Sequence, residues 1–139
     1  MLTTFHLLVV VLDPFTNQSA WILPTAGRII RTFEQADVRI AWLLTATADE
    51  CRQFLGPWAD DVMTFADPDR TAVKELGLER LPALVHLGMH GKVEGAAEGW
   101  RPAQWKAVTD RLAKVVGWQA PNFPGPRDPG PFEGSPALG

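Results

Sequence analysis

Cysteine is scarce in this chain, which contains one, Cys51, among 139 residues. A single cysteine cannot form a disulfide within the chain, so a disulfide-stabilised secreted scaffold is excluded. For the same reason the chain cannot carry out dithiol–disulfide exchange on its own. One unpaired cysteine is typical of a protein in a reducing compartment, and the sequence therefore predicts a cytoplasmic location.

Basic runs and long apolar runs are also absent. The net charge is -3, and no stripe of Lys and Arg is present, so nucleic-acid binding is not predicted. The first apolar run, Phe5 to Leu12, is too short to span a bilayer. It has no basic lead-in and no small-residue cleavage site, so we interpret it as a buried strand rather than a signal peptide or a membrane span.

The hydrophobic pattern predicts strands that alternate with helices. A continuous apolar run, typical of a strand that is covered on both faces, occurs at 5–12, and two further strands are predicted at 38–45 and 62–66. Helical spacing predicts helices at about 20–36, 47–55, 69–76 and 101–116, and a hairpin at about 82–97. We expect Pro24 to kink the first helix. This order predicts an α/β fold with a central mixed sheet flanked by helices.

The last 21 residues differ in composition from the rest of the chain. Residues 119–139 hold half of the twelve prolines and few aliphatic side chains. This composition predicts a domain over 1–118 and a Pro/Gly-rich tail over 119–139 that is extended or disordered. Because the tail pairs aromatic residues with prolines, it is also a candidate contact for a protein partner.

Two segments resemble the thioredoxin superfamily. In one, Leu81-Pro82-Ala83 opens a strand that is followed by a Gly-containing turn; in the other, Val9 to Ile30 is a strand, a turn and a helix that carries a proline. The resemblance implies a cis Leu81–Pro82 bond, beside which the family pairs its backbone with extended peptides. It also places the family's Cys-x-x-Cys motif at Thr16-Asn17-Gln18-Ser19, because the second cysteine of the family's motif lies five residues before the helix proline, as Ser19 does before Pro24.

The motif positions hold hydroxyl groups where the family has thiols. Hydroxyls have no thiolate chemistry at neutral pH, and Val10 occupies the position where thioredoxins often keep a buried acid. The resemblance therefore implies a redox-inactive member, without a cofactor, that serves as a non-catalytic protein-interaction or accessory subunit. We expect a protein partner, with the tail as a second contact. The candidate binding residues are Thr16, Asn17, Gln18, Ser19, Leu81, Pro82 and Trp100.

Other interpretations remain open. Cys51 follows a capping-box sequence at a helix start, so a redox protein that acts through Cys51 and an external thiol is the alternative function. An aromatic-lined groove for a small molecule is a third. Ser19 is either a nucleophile or the N-cap of the first helix, and the lack of a spaced base favours the cap. His86 and His90 have a metal-like spacing but no acidic or cysteine partner nearby, so a zinc site is not predicted.

Overall fold

The computed structural model describes residues 6–139, which form seven strands, five α-helices and a short 3-10 helix at Met89–Gly91. The predicted strand at 5–12 lies within this range except for Phe5. The strands are β1 (His6–Leu12), β2 (Val38–Leu44), β3 (Met63–Ala66), β4 (Arg80–Leu81), β5 (Ala83–Leu87), β6 (Val93–Glu98) and β7 (Ser135–Pro136). The helices are α1 (Asn17–Arg31), α2 (Ala48–Leu55), α3 (Trp58–Asp61), α4 (Thr71–Glu75) and α5 (Pro102–Val116).

The central sheet has five strands in the order β3-β2-β1-β5-β6. Strands β1, β2 and β3 are parallel, whereas β5 runs antiparallel to β1 and β6 antiparallel to β5. The predicted mixed sheet, with a parallel part and an antiparallel hairpin, is confirmed. The short strands β4 and β7 form a separate antiparallel pair.

Strand β1 is hydrophobic along its whole length because both faces of the sheet are covered. Leu8, Val10 and Leu12 belong to one core cluster, which includes buried residues of α1, α2 and α5. Leu7, Val9 and Val11 belong to a second cluster on the other side, which includes Val73 of α4 and Ala137 near the C terminus. Continuous apolar runs are typical of strands that are buried in this way.

Helix α1 begins and ends earlier than the sequence predicts. Thr16, not Ser19, is the N-cap: its side chain accepts a hydrogen bond from the Ser19 N–H, so Asn17, Gln18 and Ser19 are the first helical residues. The prediction that Ser19 caps the helix is therefore wrong by three residues. The helix ends at Arg31 rather than at residue 36. From Thr32 onward, the backbone N–H groups donate to carbonyl oxygens three residues earlier, which is a turn pattern and not that of an α-helix.

The segment after β2 contains a confirmed capping box and a helix that the sequence did not predict. Thr47 accepts from the Glu50 N–H, and the Glu50 side chain accepts from the Thr47 N–H. After Gly56 and Pro57, a single helical turn, α3, lies between the predicted helix at 47–55 and the predicted strand at 62–66. Trp58 at its start packs on Gly27 of α1 so closely that a Cβ there would clash with the indole ring.

The tail, residues 119–139, is extended, without helix, and it packs against the domain. Pro121, Phe123 and Ala137 within it are buried. Its last strand, β7, pairs with β4, with Ser135 opposite Leu81. Within residues 6–139, no helix is both long and apolar enough to cross a membrane.

Candidate functional site

The motif turn, residues 13–19, connects β1 to α1 and is held by its own hydroxyl groups. The Thr16 Oγ1 lies 2.9 Å from the Asp13 carbonyl oxygen and 3.1 Å from the Ser19 Oγ. The Ser19 Oγ also accepts a hydrogen bond from the Asp13 N–H at 3.1 Å. Ser19 is fully buried, Thr16 and Gln18 are partly buried, and Asn17 is exposed. The two hydroxyls at the motif positions therefore stabilise the start of α1, and Ser19 is not accessible as a nucleophile.

Asp13 connects the motif turn to the C terminus through Arg70. Its carboxylate is buried and accepts from the Phe15 N–H at 3.0 Å and from the Arg70 guanidinium at 2.8 Å. The second guanidinium nitrogen of Arg70 donates to the Ala137 carbonyl oxygen at 2.6 Å. Arg70 adopts a left-handed backbone conformation just before α4. Sequence reasoning did not identify Asp13 or Arg70, because only the fold brings residues 57 positions apart into contact.

Leu81 and Pro82 lie at the same end of the sheet as the motif turn. Val11 near the end of β1 pairs with Ala83 at the start of β5, so Pro82, which immediately precedes β5, lies at the end of the sheet where β1 leads into the motif turn. The Leu81–Pro82 peptide bond is cis in the structure, as is Phe123–Pro124 in the tail. Both Leu81 and Pro82 are buried, and the backbone of Leu81 lies opposite Ser135 of the tail.

Trp100 is also covered by the tail. Its indole is fully buried, stacks on Phe123 at 6.2 Å between ring centroids, and donates to the Pro129 carbonyl oxygen at 2.8 Å. Trp100 stands just before α5, and Phe123 and Pro129, 23 and 29 positions further along the chain, cover its ring. Trp42 of β2 is also fully buried.

Asp128 anchors the tail to α1. Its carboxylate accepts two hydrogen bonds from Arg28, at 2.9 and 2.6 Å, one from the Thr25 hydroxyl at 2.7 Å and one from the Gly125 N–H at 2.5 Å. The Arg28 guanidinium, with the Gly125 and Thr25 donors, lowers the pKa of the Asp128 carboxyl to about 2. The tail that the sequence predicts as a contact for a partner is thus in contact with its own domain.

Two large hydrophobic side chains, one within the motif turn and one just after it, are exposed. Phe15 is 66% exposed and Trp21 57% exposed. Neither residue is among the candidate binding residues predicted from the sequence, although each lies within two residues of the Thr16–Ser19 segment.

Cys51 lies in α2, away from the motif turn. Its side chain is buried, and the Sγ is 3.6 Å from the Ala46 carbonyl oxygen. Burial, together with the neighbouring Glu50 charge, raises the pKa of the Cys51 thiol. A buried thiol with a raised pKa has the properties of a structural cysteine rather than a reactive one.

The three histidines lie in different environments. His86 lies in β5 and is buried, with its Nε2 2.9 Å from the Nδ1 of His6, whereas His90 is exposed in the turn before β6. Burial and the nearby His6 lower the pKa of His86 to about 4. Among residues 6–139, no three His, Cys, Asp or Glu side chains converge as metal ligands.

An apolar cavity of about 480 Å³ opens on the face of the sheet that α4 covers. Leu7, Val9, Leu43, Phe65 and Leu76 are among the side chains that line it. None of the candidate binding residues lines this cavity. A small molecule bound in it would therefore not contact the motif residues Thr16–Ser19.

Comparison with known proteins identifies the fold. No family model matches the chain, and no curated protein matches its sequence. Solved structures do match. A protein of Chlorobium tepidum described as a thiol:disulfide interchange protein DsbE superposes with a TM-score of 0.68 at 16% identity, over 83% of this chain and 82% of that one.

Two further structures agree with this match. A secreted disulfide oxidoreductase of Mycobacterium tuberculosis has a TM-score of 0.58 at 14% identity, over 84% of this chain and 83% of that one. The thioredoxin domain of a thiol-disulfide oxidoreductase of Bacteroides vulgatus has a TM-score of 0.57 at 14% identity, with 81% and 80% covered. At these identities the likeness concerns the fold alone.

Proposed function

Because the chain has a thioredoxin-like fold and only one cysteine, we propose that it is a non-catalytic protein-interaction or accessory subunit. One observation carries the proposal: Thr16 and Ser19, which stand where the resemblance places the family's two cysteines, have hydroxyls that form hydrogen bonds at the start of α1. The single thiol, Cys51, is buried in another helix. The fold's usual reaction needs two exchanging sulfurs, and here neither motif position offers one.

The exposed pair Phe15 and Trp21 supports a protein as the partner. Large aromatic side chains are costly to leave in water, and they contribute strongly to binding when a partner covers them. Both flank the Thr16–Ser19 segment, so the proposed surface lies at the end of the sheet where the family performs its chemistry. We also propose that the protein acts in a reducing compartment such as the cytoplasm, because its one thiol is unpaired.

The redox part of the proposal is tested by insulin reduction in the presence of dithiothreitol. We expect the wild-type chain and Cys51→Ser to show the same rate as buffer alone. A Thr16→Cys/Ser19→Cys variant, which restores two thiols at the motif positions, serves as the positive control because it should form an intramolecular disulfide. Acceleration by the wild type that Cys51→Ser abolishes would establish the one-cysteine redox alternative instead.

The partner-binding part is tested by affinity capture with surface variants. Phe15→Ala/Trp21→Ala should lose the captured protein, and Met89→Ala is the matched control because Met89 is 56% exposed in the turn before β6. Binding of the identified partner is then measured by calorimetry with each purified variant. Equal affinity of the wild type and the double variant would remove this surface from the proposal.

A further inference from the structure

The apolar cavity of about 480 Å³ lies where α4 covers the sheet only in part. Helix α4 has five residues and extends about 7.5 Å, whereas the seven residues of β1 extend about 23 Å. Val11 at the C-terminal end of β1 is fully buried, but Leu7 and Val9 nearer its start line the cavity. The cavity therefore follows from the shortness of the helix that covers this face.

The lining of the cavity is mostly apolar and comes from all five strands of the central sheet. The strands contribute Leu7 and Val9 of β1, Leu43 of β2, Phe65 of β3, Leu87 of β5 and Val93 of β6. Small-molecule pockets have volumes of about 300–1,000 Å³ and are mostly apolar, with a few polar groups that orient the ligand. This cavity has the size and the lining of a site for the apolar part of such a ligand.

Glu75 is the one ionisable side chain among the described residues that line the cavity. It lies at the end of α4 and is exposed, and within residues 6–139 its carboxylate has no hydrogen-bond or ion-pair partner. Arg39, which pairs with Leu7 in the register of β1 and β2, does not line the cavity. A carboxylate at the edge of an apolar cavity attracts a cationic group and repels an anionic one.

We propose that this cavity binds a cationic amphiphile, with its alkyl or similar apolar part against the sheet and its ammonium group beside Glu75. An uncharged ligand of the same size gains only the burial of its apolar surface, and a carboxylic acid is repelled by Glu75. The site is separate from the proposed protein-binding surface, because neither Phe15 nor Trp21 lines the cavity. The proposal is therefore independent of the proposed function.

The test is a titration of the full chain, observed by NMR of the leucine and valine methyl groups. Three probes have the same alkyl chain and differ in charge: octylamine is cationic at pH 7, 1-octanol is neutral and octanoate is anionic. The methyl groups of Leu7, Val9, Leu43 and Leu87 report binding in the cavity. Leu112, which is buried on the other side of the sheet, is the internal reference.

We expect octylamine to shift the cavity methyl groups saturably and to bind about fivefold more tightly than 1-octanol, because a partly exposed ion pair contributes modestly. Octanoate should bind more weakly than 1-octanol. Glu75→Gln should remove the advantage of octylamine and leave the affinity for 1-octanol unchanged. Glu79→Gln is the matched control, since Glu79 is also exposed but does not line the cavity, and it should bind all three probes like the wild type.

A second pair of variants changes the volume of the cavity instead of its charge. Ala72 of α4 lines the cavity, so Ala72→Leu should fill part of it and weaken octylamine and 1-octanol alike, by about tenfold. Ala107→Leu is the matched control, because Ala107 is exposed on α5. Circular dichroism verifies that each variant is folded. If Ala72→Leu unfolds, Val93→Phe repeats the comparison at a lining position that is 41% exposed.

The absence of saturable shifts at the cavity methyl groups with octylamine overturns the proposal. Equal affinities for octylamine and octanoate, or an unchanged preference in Glu75→Gln, overturn it as well. Binding that appears only after deletion of residues 2–5 assigns the cavity to the N terminus of the chain itself. Shifts that depend on protein concentration without a probe assign it to a second copy of the chain. Either of these two outcomes also overturns the proposal.

Discussion

The interaction between Asp128 and α1 gives the most quantitative prediction. Asp128→Asn keeps the shape of the side chain but removes its charge. In addition, the amide nitrogen of asparagine would face donors, because Arg28 and the Gly125 N–H both donate to the same carboxylate oxygen. The substitution should therefore lose the charge-assisted hydrogen bonds and leave at least one donor without an acceptor.

The magnitude follows from the pKa of the carboxyl. That pKa falls from 3.8 to about 2 in the folded protein, which corresponds to about 2.4 kcal/mol of preferential stabilisation of the charged form. The Asp128 side chain is only 1% exposed, but its partner Arg28 is 50% exposed and screened by solvent. We therefore expect Asp128→Asn to lower the free energy of unfolding by about 1–2 kcal/mol at pH 7.

The sign of the pH dependence is fixed by the direction of the shift. Because the folded pKa is lowered, the stabilisation is present above pH 3.8 and is lost as the pH falls from 3.8 through about 2. Urea unfolding, followed by tryptophan fluorescence, measures the full contribution at pH 7 and the reduced contribution at pH 2.5. The difference between the wild type and Asp128→Asn should shrink at the lower pH.

A matched control separates this effect from the loss of any surface charge. Asp61 is a half-exposed carboxylate 3.6 Å from Arg31, and Asp61→Asn should cost less than about 0.5 kcal/mol. Hydrogen exchange at the Trp100 and Phe132 amides reports whether Asp128→Asn loosens the tail locally. Equal free energies of unfolding and equal exchange rates for the two variants would show that Asp128 does not hold the tail.

Two further predictions concern buried titratable groups. Because the pKa of His86 is lowered to about 4, the unfolded chain binds a proton that the folded chain excludes; the free energy of unfolding should fall by up to about 3 kcal/mol between pH 6.5 and pH 4. His86→Gln should flatten that slope in pH-dependent denaturation, and an unchanged slope would contradict the assignment. Cys51 should react with a thiol reagent about 100-fold more slowly than free cysteine until denaturant exposes it. Fast labelling in the native state would contradict that prediction.

The fold was predictable because its signals are local. The continuous apolar runs of β1 and β2 indicate strands buried on both faces, and the Thr47/Glu50 spacing marks the start of α2. The ends of helices were less predictable where a residue type is common both in turns and in the first turn of a helix. Asn17 and Ser19 are frequent in turns, yet a cap one residue before Asn17 makes both helical.

The site was only partly predictable because its arrangement depends on distant contacts. The resemblance identified Thr16–Ser19 and Pro82 as candidate binding residues. The residues next to Trp100 in the sequence, however, do not indicate that Pro129 and Phe123 will bury it. Exposure is likewise a property of the folded chain: Phe15 follows a proline in an otherwise polar turn, and only the packing shows that its ring faces water.

Arg70 connects the motif turn, residues 13–19, to the C-terminal residues around Ala137. It donates one nitrogen to the buried Asp13 carboxylate and another to the Ala137 carbonyl oxygen, so its position depends on both ends being in place. Linkage is reciprocal: a ligand that orders the turn around Asp13 tightens the hold on Ala137, and one that displaces Ala137 loosens the turn to the same extent in free energy. A ligand that contacts either end should therefore change the stability of the other end through Arg70, and the coupling free energy should be the same in both directions.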